Sequence, residues 1–242
     1  MQSISGNNQT ILKGKLQGDK IEIVEPYGNF IQTTLAVSRL SGEVDLIPVN
    51  FKEEMIKNKS EGDEIAILGQ FRSKNIARID GGRNKLELMV YALSELEIDS
   101  VSSTDSNIIM LSGFICKPPV YRVTPFGREI TDILVAVNRG HKKSDYLPCI
   151  AWSTNAQIAS KFVVGDAINI IGRVQSRAYT KKLDGGETIK RTAYEVSIIK
   201  LLPSGAESEA RIKVPFSHIL ENVIVKNSTF SMQCNRLSED MV

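Results

Sequence analysis

From Ile168 to Tyr194 the chain reads INIIGRVQSRAYTKKLDGGETIKRTAY, placing Arg177, Tyr179, Lys181 and Lys182 between an alternating apolar strand and a Gly185-Gly186 turn. Alternation on both sides of such a turn is hairpin grammar. A basic, aromatic hairpin tip in water suits a flexible polyanion, because cations neutralise phosphates and a ring offers a flat face to an unpaired base. Around it, Arg122, Arg128, Arg139, Lys142, Lys143, Arg173 and Arg191 extend the set of candidate phosphate contacts. The plainer role for any one of them is a solvated charge, the usual fate of Lys and Arg.

Other chemistries have little to work with. Metal-dependent hydrolysis needs clustered carboxylates, and Glu129, Asp132, Asp145, Asp166, Asp184, Glu187 and Glu195 are scattered, mostly in turns. Cys116, Cys149 and Cys234 are an odd number without close spacing, which argues against a disulfide framework and against zinc. His141 and His218 are too far apart to suggest a metal cluster, and neither lies in a Ser/His/Asp signature. The expectation is a non-catalytic protein with no cofactor and no metal. No apolar run approaches the roughly 20 residues of a membrane span, and MQSISGNN lacks the basic and apolar regions of a signal peptide. A cytoplasmic, nucleoid-associated location follows as the expectation.

The elements that must position these residues come in two sets. In the first half, alternation predicts strands at Thr10–Leu16, Ile21–Val24, Phe30–Ser38, Asp45–Phe51 and Glu64–Arg72, with a turn at Gln17-Gly18-Asp19 and a short helix over Lys52–Lys59. From Asn107 the same order begins again. Gly14 answers to Gly113, Tyr27-Gly28 to Phe126-Gly127, Ala36-Val37 to Ala136-Val137, Pro48 to Pro148, Phe51 to Trp152, Gly69 to Gly172 and Gly81-Gly82 to Gly185-Gly186. A period near 100 residues means two tandem copies of a domain. Asp99–Ser106, DSVSSTDS, has little to bury and reads as the linker. The expected division is 1–98, a linker at 99–106, a second domain at 107–202 and an extension at 203–242. Each copy offers about five strands and one short helix, which a small barrel buries without long free edges. The fold class is therefore all-β, two tandem OB-fold barrels. Charge separates them: residues 1–106 carry 12 Lys/Arg against 16 Asp/Glu, and residues 107–202 carry 14 against 7. The basic copy is the one suited to a polyanion.

The second copy resembles the bacterial single-stranded DNA-binding protein family over nearly all of residues 107–202. The resemblance runs through Thr124-Pro125-Phe126-Gly127, Ala136-Val137-Asn138-Arg139, an aromatic after the third strand, Gly165-Asp166, Gly172-Arg173 with Arg177 and Tyr179, and Gly185-Gly186. It implies single-stranded DNA as the partner and base stacking on Tyr146, Trp152 and Tyr179, with His141 where a fourth aromatic is often found. Trp152 has a second reading, as a core or subunit-interface side chain. Tyr121, Phe126 and Tyr194 read as barrel or loop packing. Arg139, Arg173 and Arg177, beside stacking positions, are favoured among the cations.

The first copy departs from the family where binding would need it: Leu46 stands for Tyr146 and Ile76 for Tyr179, so that of the stacking positions only the one matched to Trp152 keeps an aromatic, Phe51. It reads as a scaffold for oligomerisation. The family habit of four-barrel assemblies implies a homodimer of two-barrel chains. The end of the sequence, Ser238-Glu239-Asp240-Met241-Val242, only faintly echoes the acidic tip with which family members recruit replication and repair proteins. Two functions remain: coating and protecting single-stranded DNA in replication, recombination or repair, or a primosome-type assembly factor that uses the barrels mainly for protein contacts.

Overall fold

The computed structural model describes residues 7–25, 28–76, 85–140, 142–182 and 188–202, with the side chains of 181 and 182 excluded. His141, the two Gly-Gly turns, the Tyr27 position and the whole of 203–242 lie outside the described residues. The chain forms β1 (Asn8–Glu25), β2 (Gly28–Ser38), β3 (Val44–Phe51), α1 (Glu53–Ile56), β4 (Glu64–Ile76) and β5 (Lys85–Leu96). A second set follows: β6 (Asn107–Ile115), β7 (Val120–Val123), β8 (Glu129–Arg139), β9 (Lys143–Trp152), α2 (Thr154–Ala159), β10 (Ala167–Lys182) and β11 (Thr188–Leu202). The fold is all-β and each set is an OB-fold barrel, closed by β1 pairing β2 in the first and β6 pairing β8 in the second.

Two details differ from the sequence expectation. The predicted turn at Gln17-Gly18-Asp19 is a register irregularity within a single strand, β1, with Gly18 at φ +78° absorbing the bend. The helix over Lys52–Lys59 shrinks to one turn at Glu53–Ile56, in which Ile56 is buried and Met55 packs partly against the core.

Period-two alternation explains the barrels. Leu35, Val37, Ile47, Val49 and Phe51 face one interior; Ile133, Val135, Val137, Leu147, Cys149 and Ala151 face the other. Glycine serves where strands close on each other. A Cβ on Gly14 would lie 2.4 Å from the Ala36 carbonyl oxygen, and one on Gly113 would lie 2.4 Å from that of Ala136. Gly69 and Gly172 are likewise pressed against Tyr91 and Ser197 of the neighbouring strand.

The copies join edge to edge through antiparallel pairing of β1 with β6, from Asn8 opposite Leu111 through Thr10 opposite Ile109 to Leu12 opposite Asn107. Since Asn8 corresponds to Asn107 and Leu12 to Leu111, exchanging the copies maps this pairing onto itself. One chain thereby holds the self-complementary contact of a two-fold dimer. Side chains repeat the symmetry: Asn8 bonds the backbone N–H and C=O of Phe71, and Asn107 those of Val174.

The linker is a packed element rather than a stretch with little to bury. Two short 3-10 turns flank Val101, which is 1% exposed, and Lys13 Nζ donates to the carbonyls of Ile98 and Val101. Val101 packs with Ile11, Ala66, Leu68, Leu96, Ile108 and Ile171 over the junction of the copies. Burial of apolar surface at roughly 25 cal/mol per Å² makes the connector part of what holds them together.

Candidate nucleic-acid interface

In the second copy the strands run β10-β11-β9-β8-β7, and their register determines which residues share the outer face. Val174, Val196, Leu147, Cys149 and Ala151 fill the interior, so their chain neighbours face outward. On β10 these are Arg173, Gln175, Arg177 and Tyr179; opposite them on β11 stand Ser197, Glu195, Ala193 and Arg191. Ser197 is in turn level with Ile150 on β9, which places Tyr146 and Trp152 on the same continuous face. Trp152 lies opposite Ile130, and Ile130 opposite Arg122, extending that face across β8 to β7.

Exposure along the face is uneven. Tyr146 is 42% and Tyr179 38% exposed, whereas Trp152 is half-buried. Arg191 is exposed and level with Tyr179. Arg177 is held loosely, 3.8 Å from Glu195, whose carboxylate also accepts from Gln175 Nε2 at 2.7 Å. Arg122 pairs with Asp132 at 2.9 Å in solvent, where such a pair is worth little and exchanges readily. Lys181 and Lys182 continue β10 at register positions opposite Ile189 and Thr188.

The remaining candidates sit at the margins of this face or off it. Arg173 is partly buried at the junction with the first copy, its Nε without a partner among the described residues. Burial and the nearby Arg39 lower its pKa, against the opposing pull of Asp45. Arg139 ends β8 on the interior register, 3.4 Å from Asp145. Lys142 lies in the β8–β9 turn and Lys143 begins β9, and Arg128 sits in the β7–β8 turn.

Residues 106–202 match the single-strand binding protein family. The chain is 27% identical over 110 residues to a single-stranded DNA-binding protein of Halalkalibacterium halodurans, covering 43% of this chain and 65% of that one. It is 31% identical over 80 residues to single-stranded DNA-binding protein A of Bacillus subtilis, covering 30% of this chain and 46% of the relative. It thus spans about half to two thirds of the length of the curated relatives it matches. A solved single-stranded DNA-binding protein from Thermus aquaticus superposes with a TM-score of 0.61 at 24% identity, over 84% of this chain and 96% of that one. That likeness extends past the family segment into the first copy and shows the shared fold.

The first copy carries the same face with different contents. By strand register Lys52, not Phe51, is the counterpart of Trp152: Ile31 opposes Phe51 as Thr131 opposes Ala151. The sequence pairing of Phe51 with Trp152 is off by one residue. In a strand that slip exchanges faces, and Phe51 is a fully buried interior side chain. At the position of Ser197 stands Tyr91, 8% exposed, edge-on to Phe30 with centroids 5.4 Å apart and donating to Glu25 at 2.7 Å. Burial and the Glu25 carboxylate push its phenol pKa upward. Arg72 stacks 5.0 Å above the same ring and donates to Gln70; Lys74 bonds Glu25 at 3.1 Å.

Between the copies, Asp145 accepts from the Ser73 backbone N–H at 2.9 Å while Ser73 Oγ accepts from the Tyr146 N–H at 2.8 Å. The reciprocal bonds run from Ser176 N to Asp45 and from Leu46 N to Ser176 Oγ. Burial raises the pKa of Asp145, opposed by the Ser73 N–H, Arg139 and Arg72. The backbone at Tyr146 is therefore braced by the first copy.

Two aromatics expected to pack do not. Phe126 is 92% and Tyr121 43% exposed, on the turn and first strand of the β7–β8 hairpin; Tyr194 does pack against the core. The overlooked signal was local: Thr-Pro-Phe-Gly is a turn sequence, and a turn residue between Pro and Gly has no sheet face to bury it.

Proposed function

We propose that this chain is a non-catalytic single-stranded DNA-binding protein that coats and protects exposed strands in replication, recombination or repair. The observation that supports it is the single outer face of the second copy, where Tyr146, Trp152 and Tyr179 share a surface with Arg122, Arg177 and Arg191. Rings with accessible faces accept any unpaired base, at about 1–3 kcal/mol per stack, while cations follow the phosphates. Such binding discriminates single strands from duplex, whose base faces are already stacked. Lys181 and Lys182, continuing β10, and Arg128, Lys142, Lys143, Arg139 and Arg173 add positive potential around the face rather than a second platform; His141 is assigned a minor stacking role.

The first copy acts as scaffold. It braces Tyr146 through Ser73 and supplies the β1 edge for β6. We assign the whole protein as a cytoplasmic homodimer in which two chains provide four barrels, with residues 1–98 and 107–202 as its domains, 99–106 as the linker and 203–242 as an extension.

A titration with poly-pyrimidine oligonucleotide, followed by quenching of Trp152, tests the reading. Quenching that saturates and weakens steeply with salt is the expected result. Equal affinity for duplex and single strand would refute it. Sedimentation mass decides the assembly: a monomer would remove the four-barrel arrangement.

A further inference from the structure

The β7–β8 hairpin carries the most exposed large apolar side chain among the described residues, Phe126 at 92%. Its turn is well tied. Thr124 N donates to the Arg128 carbonyl at 2.8 Å, Gly127 N to the Thr124 carbonyl at 2.8 Å, and Arg128 N to Thr124 Oγ1 at 3.0 Å. Gly127 at φ +74° takes the left-handed position such a turn requires. A phenyl ring that would gain about 1.5–3 kcal/mol from burial is thus displayed on a braced support.

The surroundings indicate what would cover it. Arg122 and Arg128 are both exposed on either side of the turn. Arg122, Ile130 and Trp152 stand in one row across β7, β8 and β9, so the hairpin continues the outer face on which Trp152 lies. At about 3.3 Å per residue, the tip is roughly 10 Å beyond that row. Apolar protein surface would match the ring but not the two cations beside it; an unpaired base with its flanking phosphates matches both.

From this geometry we infer that Phe126 is an additional base-stacking residue, and that the bound strand runs from Trp152 past Arg122 to the tip of the β7–β8 hairpin, where Arg128 receives a phosphate. The inference rests on the proposed single-strand function and extends its path to an element that the sequence placed in packing.

The test uses the full chain and dT oligonucleotides long enough to saturate Trp152 quenching. Phe126→Ala and Phe126→Leu should each weaken binding by about fivefold or more, the lower end of the cost of losing a stacked ring, with Phe126→Tyr close to wild type. In a Trp152→Phe background, Phe126→Trp places the sole indole at the tip, and its emission should be quenched by dT. Because Phe126 is almost wholly in solvent, these variants should unfold at the wild-type temperature. If Phe126→Ala binds within twofold of wild type while Tyr179→Ala is weakened, the inference fails and the functional reading stands. Leu binding as tightly as Phe would replace stacking by a plain apolar contact and equally overturn it. If wild type shows neither quenching nor binding, the functional reading itself falls.

Discussion

The strand pairs β4–β5 and β10–β11 share a register and a framework, yet their outer faces differ in what supplies the partners of rings and charges. In the first copy the protein does: Tyr91 lies against Phe30 under Arg72 with its hydroxyl on Glu25, and Lys74 is paired to the same carboxylate. In the second, Tyr179 and Arg191 are exposed, and Arg177 makes a long contact, 3.8 Å, to Glu195. Interior packing and close-approach glycines are what the barrel requires, and both copies keep them. The outer face is under no such constraint, so one copy can satisfy its groups internally while the other leaves them available to a ligand.

The comparison can be broken first at the framework. Gly14→Ala and Gly113→Ala drive a Cβ into a strand carbonyl at 2.4 Å, and each should cost about 3 kcal/mol, the upper end for overpacking. Urea unfolding checks this; a large cost in one copy alone would mean the frameworks are not equivalent. Next comes the face itself. Tyr179→Ala should weaken single-strand binding by about 1–3 kcal/mol, whereas Ile76→Ala, at the matching position, should leave titration curves unchanged. Charge sharpens the contrast: Arg177→Gln and Arg191→Gln should each reduce the logarithmic salt slope by about 0.7, with Lys74→Gln and Lys85→Gln leaving it unaltered.

Smaller effects lie at the junction. Ser73→Ala and Ser176→Ala each remove the acceptor of one cross-copy N–H and should lower stability by a similar amount, about 1 kcal/mol; only the Ser73 change should also loosen binding, through Tyr146. The smallest effect is the pH dependence of Asp145. Burial raises its folded pKa, so the folded state holds the extra proton between the ordinary carboxylate value and the raised one. Stability relative to Asp145→Asn should therefore rise as pH falls through that window. The opposite slope in urea unfolding would mean that Arg139 and Arg72 outweigh desolvation.

Much of this was legible in the chain itself. Alternation gave the strand sets, the recurring glycines gave the repeat, and the charge imbalance between residues 1–106 and 107–202 singled out the basic copy. These are local or compositional properties, and period-two patterning against a buried interior leaves few other arrangements. Phe51 shows where that kind of reading stops. Aligned by spacing it matched Trp152; one residue of register places it inside the barrel and puts Lys52 on the face.

Sequence by itself thus determined an all-β chain of two tandem barrels, with its excess of positive charge in the second. Tertiary structure alone decided three things: that β1 and β6 pair the copies within one chain, that Val101 makes the linker part of the core, and that Tyr91 is buried against Phe30 and Glu25. The reason is physical. Which edge a strand meets, and which ring a neighbouring strand covers, depend on residues about sixty to a hundred positions away, and no local pattern of apolar and polar residues encodes that distance.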